Sequence, residues 1–209
     1  ASLPAVVRSG SEVTRSTVSA GGRAHPLEDQ HKGSCLALWV IAGSLAVYRG
    51  RMPLRSADFP KSAAVIPRLL VVESTGSTNA DLVAAVTEAP DAWPHLSAVV
   101  TDDQRSGRGR LNRSWTAPPG SALAVSLVVR TAGIPSEALG WIPLIAGVAM
   151  ADAIAEQLMG RVVAVKWPND VLLDGLKISG ILAALVGAVA VVGAGVHTST
   201  ARSDLPVPT

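Results

Sequence analysis

The chain has 209 residues, 48% of them apolar, enough for one domain with a buried core and some length to spare. Its formal charge of +2 is unevenly spread: residues 1–51 hold six Lys/Arg against three Asp/Glu, and residues 52–209 hold twelve against thirteen. The larger region therefore lacks the basic footprint of a general nucleic-acid binder, and the single cysteine, Cys35, excludes an internal disulfide and suits a reducing cytoplasm.

In chain order, residues 1–33 mix Ser, Gly, Arg and Val without helical or alternating period. Residues 1–51 read as a leader, non-native or disordered, upstream of a natural start at Met52, and 52–209 as the folded unit. Residues 34–48 are uncharged but short for a bilayer core, which needs about 20 residues. They also lie far from the N-terminus for a secretory signal.

From Leu69 the pattern is regular. Residues 69–72 read as a strand. A helix is expected from Ser77-Thr78 to about Val86, with Thr78 and Asp81 as a capping box. Residues 97–101 form a second strand, 102–119 a polar loop rich in Gly and Arg, and 122–129 a third strand. A long Ala/Leu-rich helix is expected over 139–159, with Pro143 accommodated near its start. Residues 162–165 form a fourth strand, ended by Trp167-Pro168.

A hairpin follows, 171–173 and 176–181 around Asp174-Gly175, the strongest short hairpin signal in the chain. Residues 178–196 are uncharged and long enough for a membrane helix, but their Ala/Val/Gly content and Gly187 favour two buried strands. Strands alternating with helices, and hairpins among the strands, indicate an α+β fold. Its sheet is expected to be mixed and largely antiparallel, with helices packed on one side.

Two constellations carry chemistry. The first is Gln104-Arg105-Ser106-Gly107-Arg108-Gly109-Arg110-Leu111-Asn112-Arg113-Ser114-Trp115, with four guanidinium groups in nine residues. Glycine lets backbone approach a ligand, and planar guanidinium forks match carboxylate and phosphate oxygens. The loop suits a small multiply charged anion such as a nucleotide. A solvated basic loop is the bland alternative. Single-stranded RNA is weakened by the lack of stacking aromatics within the loop and by Asp102-Asp103 before it.

The second runs from Lys166-Trp167-Pro168-Asn169-Asp170 to Lys177-Ile178-Ser179-Gly180. A two-residue turn would pair Leu173 with Leu176, Leu172 with Lys177 and Asp170 with Ser179. Asp170 and Lys177 would then share a face as diagonal neighbours. A cation in an otherwise apolar strand needs an anion, either Asp170 or a ligand.

Gly107-Arg108-Gly109-Arg110-x-x-Arg113-x-Trp115 is followed about fifty residues later by Lys166-Trp167-Pro168-Asn169-Asp170-Val171 and Lys177-Ile178-Ser179-Gly180-Ile181-Leu182. With Ser77-Thr78-Asn79 after the first strand, these motifs resemble the signature of biotin–protein ligases, over residues 69–196. The resemblance implies a class II synthetase-like catalytic domain. Such a domain would activate biotin with ATP and magnesium to biotinyl-5'-AMP, then biotinylate a lysine of a biotin carboxyl carrier domain. It implies a cytoplasmic ligase with no nucleic acid and no membrane, and leaves room for a homodimer.

Residue by residue, the resemblance places Ser77, Thr78, Asn79, Gln104 and Gly180 at biotin. Arg108, Gly109 and Arg110 fall on the loop over biotin and the adenylate phosphate, with Arg110 reaching the nucleotide. Arg113, Trp115, Lys166 and Asn169 fall around the nucleotide. Lys177 lies near the biotin carboxylate and α-phosphate, and Asp170 beside the acceptor lysine. Arg108, Arg110, Lys177 and Asp170 are the catalytic candidates. No metal-ligating residue is assigned.

Three departures stand against a complete match. Ala183-Ala184 replaces a usual acidic residue. His197 follows Gly193-Ala194-Gly195-Val196 where the family has an asparagine near the nucleotide, which weakens the expectation for ATP more than for biotin. Finally, the family's further helices and small C-terminal β-barrel do not follow, so the domain is expected to be truncated. A lipoate ligase, a relative with the same fold, and an impaired biotin-binding remnant are the alternatives.

Overall fold

The computed structural model describes residues 54–200 and Leu205; the leader expected at 1–51 and its start at Met52 lie outside them. The centre is a seven-stranded sheet. Its strands run, edge to edge, β1 (Leu69–Val71), β2 (Ala98–Thr101), β5 (Ala122–Arg130), β9 (Val189–His197), β8 (Leu176–Val186), β7 (Asp170–Leu173) and β6 (Val163–Lys166). The first two are parallel and every other neighbouring pair is antiparallel. A separate two-stranded ribbon pairs β3 (Gly107–Arg108) with β4 (Ser114–Trp115) inside the expected arginine loop.

Among the described residues three α-helices accompany the sheet: α1 (Pro60–Val65), α2 (Thr78–Glu88) and α3 (Ile142–Gln157). The mixed, largely antiparallel sheet is as expected, but the helices do not share one side. Leu123, Val125, Leu127 and Val192 pack in one cluster with Ala149, Met150 and Ile154 of α3. The intervening Val128 and Val191 pack in a second cluster with Leu82 and Val86 of α2. Successive strand residues point to opposite faces, so α2 and α3 lie on opposite sides of the sheet. Strand β5 is buried on both faces along nearly its whole length. The alternation that would reveal an exposed side is therefore missing.

Helix α3 lies close to the sheet because its inner positions are small. Ala146, Gly147, Ala149, Ala151 and Ala153 are all buried there, with Met150 and Ile154 filling the remaining space. Its Pro143 stands in the first turn, as expected, and a 3-10 stretch, Ser136–Trp141, leads in. Ser136–Gln157 is long and apolar enough to cross a membrane by length and composition, but its small-residue face is taken up by the sheet. Residues 178–196, weighed as a membrane segment, instead form most of β8 and all of β9 up to Val196, turning at Gly187 with φ +55°. Helix α1 lay below the threshold of the sequence pattern. Phe59 just before it and Ile66 just after it plug the α3-side core.

The Asp174-Gly175 turn has positive φ at both positions (47° and 82°), the geometry that matches the twist of a tight hairpin.

Candidate functional site

Helix α2 covers only part of its face of the sheet. Beyond its N-terminus the same face continues through Ser126 of β5, Gly193 and Gly195 of β9 and Gly180 of β8. Here a cavity of about 620 Å³ opens. All fourteen residues singled out from the sequence line it, although they are spread along the chain from Ser77 to Gly180.

One end is set by the start of α2. Ser77 is the N-cap, its hydroxyl accepting from the Ala80 amide at 3.3 Å. The expected capping box at Thr78 is thus displaced by one residue, and Asp81 bonds the Thr75 hydroxyl instead. Displacement turns Thr78 inward. Its amide and hydroxyl donate to Gln104 Oε1 at 2.9 and 3.2 Å, and its hydroxyl accepts from Ser126 at 2.9 Å. The Thr78 hydroxyl is thereby occupied within the protein, and it positions Gln104. Asn79 Nδ2 lies 3.4 Å from the carbonyls of Leu182 and Val191, anchoring the helix start to the sheet.

The opposite wall is the hairpin. A bulge between Val171 and Leu172 shifts the register, so Asp170 opposes Gly180 rather than Ser179 as a regular ladder would have it. The shift shapes the site. It brings Lys177, Gly180 and Asp170 together on the cavity face, with Lys177 Nζ 2.7 Å from Asp170 Oδ1. Gly180 has no side chain to oppose this: a Cβ there would lie 3.3 Å from Lys177 Cε and 3.4 Å from Nζ. Lys166 opposes Asp170 from β6.

The arginine loop forms the lid-like third wall. Gly107 is required sterically, since a Cβ would come within 2.4 Å of Gln104 Nε2 and 2.5 Å of the Trp115 carbonyl. Gly109 N donates to Arg113 O at 2.7 Å, closing a tight tip in which Leu111 and Asn112 hold positive φ. Arg108 and Arg110 are exposed. Asn169 ties this loop to the hairpin wall: its Oδ1 accepts from Arg110 Nη1 at 3.3 Å, and its Nδ2 donates to the Ile181 carbonyl at 2.8 Å.

Trp115 lies against the floor. At Gly195 a Cβ would fall 2.5 Å from two indole carbons, so only glycine allows the ring to approach. The indole also meets the ring of His197 at 5.5 Å, tilted by 38°. Burial first, and the neighbouring Lys177 ammonium second, hold the His197 imidazole below the ordinary histidine pKa.

Sequence reasoning missed Ser126, Gly193 and Gly195 as parts of the site. The two glycines carried a readable signal, because residues two apart on a strand share a face. Ser126 carried none, since a lone serine in an apolar strand does not say which face it occupies.

Residues 71–196 match the biotin/lipoate A/B protein ligase family. The biotin–[acetyl-CoA-carboxylase] ligase of Mycobacterium tuberculosis is 36% identical over 140 residues, 66% of this chain and 52% of that protein. The bifunctional ligase/repressor BirA of Escherichia coli is 34% identical over 148 residues, 68% of this chain and 42% of its own length. The chain thus spans about half the length of these relatives. Among solved structures, the biotin protein ligase from Aquifex aeolicus in complex with biotin and ATP superposes with a TM-score of 0.54 at 28% identity, covering 68% of this chain and 56% of that one. The Leishmania major biotin protein ligase in complex with biotinyl-5-AMP gives 0.51 at 27%, covering 62% and 57%. With more than half its length inside the matched span, this chain belongs to the biotin/lipoate A/B protein ligase family.

Proposed function

We propose that this domain activates biotin with ATP to biotinyl-5'-AMP and passes the biotinyl group to a lysine of a biotin carboxyl carrier domain, in the cytoplasm. The observation that carries the reading is the placement of cations on two facing walls of one cavity. Lys177 stands on the hairpin, Arg108 and Arg110 on the loop, and a flat floor of Gly180, Gly193 and Gly195 lies between. The name of the Mycobacterium tuberculosis relative, which specifies biotin and acetyl-CoA carboxylase, supports the choice of substrates.

The first step joins two anions. A biotin carboxylate oxygen attacks the α-phosphorus of ATP, and the bond to the departing pyrophosphate breaks. Arg108, Arg110 and Lys177 offset the repulsion between the reactants and stabilise the charge that grows on phosphorus. Gln104, held by Thr78, and the Ser77 hydroxyl offer polar groups at the biotin end. In the second step an acceptor lysine attacks the anhydride carbonyl, and AMP leaves. A free lysine has a pKa of about 10.4, so it must lose a proton before attack. Asp170 at the cavity wall is placed to receive it once Lys177 has turned to the ligand.

No group of three His, Cys, Asp or Glu side chains that would hold a resident metal ion occurs among the described residues. Magnesium would enter with the nucleotide phosphates.

Calorimetry with biotin, and biotin-dependent exchange of labelled pyrophosphate into ATP, test the proposal. Biotin is expected to bind, and exchange to depend on it, with ATP held more weakly because His197 departs from the asparagine that the biotin-ligase signature implies at this position. Folded protein that binds no biotin would overturn the assignment. Biotin binding without exchange would favour the alternative of a biotin-binding remnant.

A further inference from the structure

His197 is the last residue of β9, opposite Ala122 of β5, and it faces the cavity. It is only 6% exposed. Nδ1 lies 2.9 Å from the Thr200 hydroxyl, and Nε2 has no hydrogen-bond partner among the described residues. Trp115 of β4 covers one side of the ring. The titratable groups bearing on it are Lys177 of β8 with its partner Asp170 of β7. Arg113 lines the same cavity from the loop. Ala122, Trp115 and Thr200, which also adjoin it among the described residues, carry no charge.

A buried ring beside an ammonium is neutral near pH 7, as the direction of its pKa agrees. The balance reverses when an anion arrives. A phosphate seated against Lys177 neutralises the ammonium and adds negative charge beside the imidazole. Both changes favour the imidazolium. Trp115 and Thr200 hold the ring in place, with Nε2 left to donate.

We propose that His197 binds a nucleotide phosphate through Nε2 as an imidazolium, so that each nucleotide bound carries one proton into the site. The inference rests on reading the cavity as an adenylation site. The proton comes from solvent, and no covalent bond is made or broken. It also makes the weaker ATP binding pH-dependent: affinity is fully present below the free-state histidine value and is lost as pH rises through the ligand-bound one.

Calorimetry of the full chain with ATP at pH 7.5, in two buffers of unlike ionisation heat, counts the protons taken up. Uptake approaching one proton per ATP is expected. So is an affinity that falls about tenfold per pH unit between the free-state and ligand-bound pKa values of His197 and levels off above the latter. His197→Asn keeps a donor but does not titrate; it should take up no proton and show a flat profile, with circular dichroism confirming its fold. If that variant does not fold, the wild-type protein still decides, because ATP binding without proton uptake overturns the proposal. Biotin binding on the same sample separates the two readings. Loss of both ligands by folded protein overturns the adenylation site itself, whereas ATP bound with no proton overturns only the role of His197.

Discussion

The lysine hairpin and the arginine loop face each other across one cavity, but they hold their cations differently. Lys177 belongs to an eleven-residue strand paired on both sides, and its side chain is 24% exposed with the ammonium already matched by Asp170. Arg108 and Arg110 stand on a loop whose ladder is two residues long on each side, and whose bond from Arg110 to Asn169 on the hairpin wall is exposed. Strand placement fixes a charge before ligand arrives. Loop placement lets charge be added as ligand is enclosed. A site that admits two anions and then holds them together, as in the proposed reaction, would use both.

The largest expected effect removes one cation from either wall. Lys177→Ala and Arg108→Ala should each lower biotin-dependent pyrophosphate exchange by about 10²–10³-fold, a range typical of losing one group that stabilises transition-state charge. Biotin affinity should fall far less, because the charge these residues meet develops mainly in the reaction. Undiminished exchange in either variant removes that residue from the site. A loss confined to Lys177→Ala would make the hairpin sufficient and the loop a cover.

A smaller effect tests how the loop keeps its shape. Gly107→Ala places a Cβ against the Trp115 carbonyl, backbone that cannot swing away. It should destabilise the protein by about 1–3 kcal/mol, as overpacking does. At Gly109 the nearest atom to a Cβ is 3.5 Å away, an ordinary contact. Gly109→Ala should therefore stay within about 0.5 kcal/mol in thermal unfolding. Equal losses at both positions would show that the glycines serve flexibility rather than space.

The smallest effect has the opposite sign. Leu111 is 84% exposed and holds φ +55°, a left-handed conformation unfavourable for leucine. Leu111→Gly should stabilise the free protein by about 0.5–1 kcal/mol in denaturant titration, after the glycine's greater unfolded-state entropy is counted. A destabilisation would mean that the side chain packs onto a neighbour in solution.

Signals that act over a few residues were legible. The Asp174-Gly175 turn, the break at Gly187, Pro143 at the start of α3 and the strands on either side of the arginine loop all follow from local backbone preference. The motif residues were legible as chemistry, because guanidinium, ammonium and glycine at those spacings have few common uses. Family resemblance added their order and their roles. Helix α1 was not legible: six residues hold too little pattern to stand out, and it is fixed by Phe59 beneath it.

By itself, then, the sequence determined the local elements, the mixed sheet and the set of polar residues that had to meet. Tertiary structure alone decided which face each element occupies. Buried on both sides, β5 and β9 carry no alternation to choose between α2 and α3. A bulge at Val171/Leu172 moved Asp170 from Ser179 to Gly180, a one-residue change that no hydrophobic pattern records. The contact of Trp115 with Gly195 and His197 joins chain eighty residues apart, and its cause is the room left when glycine stands beneath an indole. Local preference acts along the chain, whereas the site is made where distant strands bring their faces together.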